Sequence, residues 1–153
     1  MATKPALTMR QAGQDWLLTC TPRPTDAQRA WDAEELALFT TGAHWLAAEV
    51  PLLRSVEIMP RIKARQLGPV LADVATERAW WLLPTDAGDL LDDLRHVTVQ
   101  PPSWVLKCPP VLYPLNERVW LERPDGSGQL TDPILLGAAL GPGGYRRPAE
   151  AST

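Results

Sequence analysis

The chain has 153 residues, 45% apolar and 22% charged, with a net charge of −3 and a pI of ≈ 5.3. That length fits a single domain, and the acidic balance excludes a surface built throughout to grip nucleic acid, leaving only a local basic patch for that role. Two cysteines exclude a disulfide scaffold, while the lack of an apolar leader or of any ~20-residue apolar run predicts a soluble, cytoplasmic protein with no membrane association.

In chain order, residues 1–13 read as a flexible N-terminal arm, 14–141 as one folded domain and 142–153 as a disordered tail. After DWLLTCTP, the segment PTDAQRAWDAEELALF offers Thr25 or Asp26 as an N-cap followed by good helix formers, which predicts a helix over 26–40 ending near Gly42. HWLAAEV reads as a second short helical turn. SVEIM alternates like a strand closed by Pro60, and RIKAR would place Arg61, Lys63 and Arg65 on one face if extended.

RAWWLL reads as a buried strand closed by Pro84. Trp80 pairs with Leu82 on one face and Trp81 with Leu83 on the other, the pattern of a central strand covered on both sides. TDAGDLLDDLRHV predicts a helix, with Ala87, Leu90, Leu91 and Leu94 at i, i+3, i+4 and i+7 and with acidic and basic ends that match the dipole. VTVQPP, SWVLKCPP and RVWLERP read as three strands and PDGSG as a turn. Asp132-Pro133 starts a last helix that Gly141 ends. The fold class is therefore α+β: a small mixed or antiparallel sheet with helices packed on it, in a single domain.

Most reaction chemistries lack their residues here. Zinc ligands come in close pairs, whereas Cys20, His44, His96 and Cys108 are scattered singly, so no metal site is expected. Cys108 has Lys107 beside it and His96 upstream, the neighbours a thiolate nucleophile needs. Yet it alternates in phase with Trp104 and Leu106, which places it on an apolar strand face as a structural thiol. Glu49, Glu57, Asp73 and Glu77 are acids near strands. Asp92 and Asp93 belong to a solvated face. GPGG at 141–144 follows a helix instead of opening one, and GSGQL lacks the frame of a nucleophile elbow. No cofactor is called for.

Arg54, Arg61, Lys63 and Arg65 against Glu57 leave a local net of +3, from four cations and one acid. With Trp80 or Trp81 as a stacking platform, this is the composition that single-stranded nucleic acid binding uses. A solvated, mobile linker accounts for the charge run more simply, since charge runs usually mean no more than that.

SVEIMP, LGPV, TERAWWLLPTDAGDLLDDL, SWVLKCPPV and VWLERP, followed by a helix after TDP, occur in an order similar to actinobacterial primase-polymerase domains. These form the bifunctional primase/polymerase N-terminal group of the archaeo-eukaryotic primase superfamily, and the resemblance covers roughly residues 54–140. It implies an acidic strand at SVEIMP and an aromatic strand at RAWWLL. A catalytic member would carry two acids on the first strand for two divalent metals, a histidine on the second and a later third acid. Here only Glu57 is acidic, Met59 stands where a second acid would face the same side, and RAWWLL has no histidine. The resemblance thus implies a degenerate, non-catalytic relative, with Glu57 as a vestigial acid.

The leading expectation is a non-catalytic binding module contacting single-stranded nucleic acid or a replication or mobile-element protein. It would act through Arg61, Lys63, Arg65 and whichever of Trp80 and Trp81 is exposed. A protein–protein interaction module without nucleic-acid contact is the second reading, and a small enzyme using Cys108 or Glu57 the third.

Overall fold

A computed structural model describes residues 5–141 apart from residue 88; the tail read at 142–153 lies outside the described residues. The elements are helices α1 (Pro5–Leu18) and α2 (Pro24–Asp32), strands β1 (Ala37–Thr40) and β2 (Leu46–Pro51), and helix α3 (Leu52–Ile58). Two short 3-10 turns (Met59–Arg61 and Ala64–Gln66) lead into β3 (Val70–Asp73) and β4 (Arg78–Leu83). Strands β5 (Thr98–Val99), β6 (Val105–Cys108) and β7 (Arg118–Glu122) and helix α4 (Pro133–Leu140) complete the chain. A five-stranded antiparallel sheet in the order β5-β2-β4-β3-β7 accompanies a two-stranded ribbon of β1 and β6, which makes a single α+β domain. Among the described residues no helix is long and apolar enough to cross a membrane.

Strand β4 organises the core. It pairs with β2 on one side and β3 on the other, and its side chains alternate between two hydrophobic clusters. Trp80 and Leu82 enter a cluster closed by α1, α2 and the β1–β6 ribbon, with Leu17, Trp31, Phe39 and Leu106. Trp81 and Leu83 enter the opposite cluster, closed by α3, α4 and the 84–97 segment, with Ile58, Leu91 and Leu136. The doublet in RAWWLL is thus two inward rings on opposite faces of a central strand. Each buried tryptophan side chain contributes on the order of 3–5 kcal/mol against its loss. Two of the indole N–H groups find partners in the core: Trp81 Nε1 donates to the buried Ser55 Oγ (2.9 Å) and Trp31 Nε1 to the Cys108 carbonyl (2.9 Å).

Asp132 caps α4 as expected, its carboxylate accepting from Ile134 N at 2.9 Å, with Pro133 at the first helical position and Gly141 at the end. Strands at 78–83, 98–99, 105–108 and 118–122 also fall where the alternation placed them.

Other segments depart from the sequence reading, each for a tertiary reason. The arm expected over 1–13 is helical from Pro5 onward, because the 124–126 turn packs on it: a Cβ at Gly13 would overlap the Pro124 carbonyl, and Gly126 meets Ala12. Gln14 adds a bond, its Oε1 accepting from Val111 N at 3.0 Å. The helix expected over 26–40 stops at Asp32, where Glu34 adopts a left-handed φ of 60°, and ALFT then alternates inward and outward as a strand against β6. HWLAAEV forms β2, a strand covered on both faces, instead of a helical turn. SVEIM is helical instead of extended, because β2 ends at Pro51 and the chain turns Ser55 and Ile58, three apart, onto Trp81. The TDAGDLLDDLRHV leucines make separate turns instead of a helix. Leu91 is buried against α4 and Leu90 is 53% exposed, so packing on α4 overrides a short segment's weak helical preference.

Candidate binding site

The residues singled out from the sequence do not assemble into one site. Glu57 is exposed on α3 and bonded to Arg54 at 3.2 Å, so it is a surface ion-pair member instead of a strand acid. With 52–58 helical, the acidic strand implied by the primase-polymerase resemblance does not form there. Arg61, Lys63 and Arg65 are all exposed, but two 3-10 turns replace the extended segment that would have aligned them, and only Ile62 points inward.

Trp80 and Trp81 are buried at 4% and 0% exposure, and none of the seven tryptophans is exposed. The stacking platform therefore has no ring to offer. The Trp80 ring has the Arg118 guanidinium 4.5 Å from its centroid and Trp104 at 6.4 Å, while its Nε1 donates to Glu49 Oε1 at 3.0 Å. Glu49 also accepts from Gln100 (3.2 Å) and pairs with Arg78, and Asp73 holds Arg118 at 3.1 Å. These two acids, noted in the sequence only as lying near strands, lock the polar end of the sheet around an indole. Cys108 is fully buried, and burial pushes its thiol far above the ordinary range with Arg118 only partly opposing. A thiolate nucleophile is not available there. Among the described residues no three His, Cys, Asp or Glu side chains cluster as a metal site.

Arg65 does line a cleft. About 230 Å³ opens between the 64–69 segment and the Glu122–Asp125 stretch at the end of β7, with Arg65 on one wall and Arg123 on the other. Gln129 braces the first wall, its Nε2 donating to the carbonyls of Ala64 (3.0 Å) and Leu67 (2.8 Å). The same Glu122–Asp125 stretch borders a second cleft of about 280 Å³ with Met9 and Arg10 of α1. Among the described residues neither Arg65 nor Arg123 is hydrogen-bonded or in an ion pair. Burial and then the Asp125 charge raise the Glu122 carboxyl above its ordinary value, with Arg123 opposing; hydrogen bonds from Ser127 hold Asp125 below its own.

The chemistry on offer is recognition: the guanidiniums of Arg65 and Arg123 beside the carboxylates of Glu122 and Asp125, with Met9 exposed at the margin of the neighbouring cleft. Arg10, Glu122, Arg123 and Gln129 went unnoticed in the sequence. Arg123 and Asp125 read only as strand end and turn, and no spacing joins position 65 to position 123. No protein-family model, curated protein or solved structure matches this chain.

Proposed function

We propose that the protein is a non-catalytic interaction module whose docking surface is the Arg65–Arg123 cleft, with Arg61 and Lys63 in the segment that precedes its first wall in the chain, and whose partner is a polypeptide segment. One observation carries the reading: Glu122 and Asp125 stand in the same cleft as Arg65 and Arg123. A phosphate backbone would meet two carboxylates as it met the guanidiniums, whereas a peptide carrying both signs satisfies all four. Exposed Leu53 and Val56, one turn apart on α3 just before the basic stretch, add apolar area of the kind protein contacts use.

The second reading is a primase-polymerase-like module that contacts single-stranded nucleic acid. It keeps the support of three exposed cations on one short segment, Arg61, Lys63 and Arg65, but has lost its stacking rings.

The discriminating experiment pairs peptides selected from a random display library on the wild-type protein with a fluorescent oligo-dT. Under the polypeptide reading, Arg65→Glu combined with Arg123→Glu weakens the selected peptides by at least about tenfold, and the oligonucleotide stays unbound at low salt. Peptides indifferent to the double reversal would overturn it. Salt-sensitive oligonucleotide binding that the reversal abolishes would replace it with the second reading.

A further inference from the structure

A second groove lies where β2 runs into α3 and meets the β3–β4 turn and the entrance to β5. Its larger part, about 380 Å³, is lined by Glu49, Thr76, Glu77, Arg78 and Thr98 among others. Its smaller part, about 160 Å³, is lined by Arg54, Arg95, Val97 and Leu140. His96, Val50 and Pro51 border both, so the two parts are continuous. None of these residues lines the Arg65 cleft.

Charge is unevenly distributed along this groove. At the smaller end stand Arg54, Arg95 and His96 with no carboxylate in the lining. Arg54 is engaged by Glu57, but Arg95 and His96 are neither hydrogen-bonded nor ion-paired among the described residues. At the larger end, Arg78 is neutralised by Glu49, which leaves Glu77 uncompensated beside the hydroxyls of Thr76 and Thr98. Both His96 (φ 65°) and Glu77 (φ 59°) hold left-handed backbone, a conformation disfavoured for residues other than glycine. Glu77 is kept there by its carbonyl, which accepts from Leu52 N at 2.9 Å and ties the turn to the start of α3.

Two guanidiniums and an imidazole bordering one small cleft match the three terminal oxygens of a phosphate better than the two of a carboxylate. The uncompensated Glu77 at the other end disfavours a second anionic group there, and with it a nucleic-acid strand or a polyphosphate. We propose that Arg95 and His96, together with Arg54, form a binding site for the phosphate of a small phosphate monoester whose remaining part is uncharged or cationic and lies toward Thr76, Glu77 and Thr98.

The test is an NMR titration of the full chain, labelled at histidine and arginine, with inorganic phosphate, glycerol phosphate and acetate at constant ionic strength. His44, the only other histidine, is exposed and serves as the internal control. Phosphate and glycerol phosphate should give saturable shifts at His96 and Arg95 but not at His44, with acetate at least about tenfold weaker. Arg95→Gln and His96→Gln should each weaken phosphate by roughly tenfold, while Arg123→Gln should leave it unchanged. Both side chains are exposed, so unchanged tryptophan fluorescence verifies that the variants remain folded. Non-saturating drift, equal shifts at His44, acetate as tight as phosphate, or phosphate binding indifferent to Arg95 and His96 would each overturn the proposal.

Discussion

Burial raises the Cys108 thiol above its ordinary value of 9.0, and Cys20, also buried, is raised for the same principal reason. Native protein at pH 7.5 should therefore resist iodoacetamide at both cysteines, and both should alkylate fully once urea unfolds the chain, as peptide mass spectrometry would report. Labelling of native Cys108 at the rate of a free thiol would contradict the burial. Glu122 gives a second residue-level expectation. Its folded pKa lies above the unfolded value of 4.5, so ionisation costs the folded state more than the unfolded one. The penalty is absent below about pH 4 and develops as pH rises from 4.5 through the raised folded value. Glu122→Gln should match the wild type in thermal stability at pH 3.5 and exceed it at pH 7. A variant less stable at pH 7 would mean that the carboxylate holds a favourable partner.

Among the elements, α1 depends most visibly on a contact distant in sequence. The helix has only modest amphipathic patterning of its own, PALTMRQAGQDWLL carrying glycine at position 13 and no acidic residue in the first turn. What orders it is the 124–126 turn seated on Ala12 and Gly13, plus Gln14 accepting from the 111–112 backbone. Gly13→Ala should lower stability by about 1–3 kcal/mol in urea denaturation, since the Pro124 backbone must shift to admit a methyl group. Amide exchange should accelerate over residues 8–18 more than in β4. Uniform acceleration across the chain would show that α1 is not a separable contact. Helix α3 illustrates the same dependence: SVEIM has the alternation of a strand, but Ser55 and Ile58 both belong to the layer over Trp81 only when the segment coils.

At the scale of the whole molecule, one strand connects both clusters, because Trp80 and Trp81 leave β4 in opposite directions. Neither cluster can dissolve without unpairing that strand, so the domain should unfold in a single step. Tryptophan fluorescence, which samples both clusters, and far-UV circular dichroism should give coincident urea transitions. Separated midpoints would place an independent unit on one side of the sheet.

The α+β class, the two-faced character of RAWWLL, the apolar side of Cys108 and the Asp132-Pro133 helix start were all determined by local order in the sequence. Period-two alternation and capping chemistry act between neighbours and need no distant partner. Local order could not determine which short ambiguous segments coil. PALTMRQ, SVEIM and DAGDLLDDL have weak or dual patterns, and the Pro124 turn, the Trp81 ring and helix α4 respectively settle them. The clefts were beyond it altogether. Arg65 meets Arg123 across a gap of 58 positions in the chain, and Arg54 meets Arg95 across 41, distances no periodicity spans. The sequence could place cations and tryptophans on the chain, but only the folded sheet decided that the rings turn inward and the guanidiniums remain outside. Burying an indole stabilises by kilocalories, whereas burying an unpaired guanidinium costs more than the core can return.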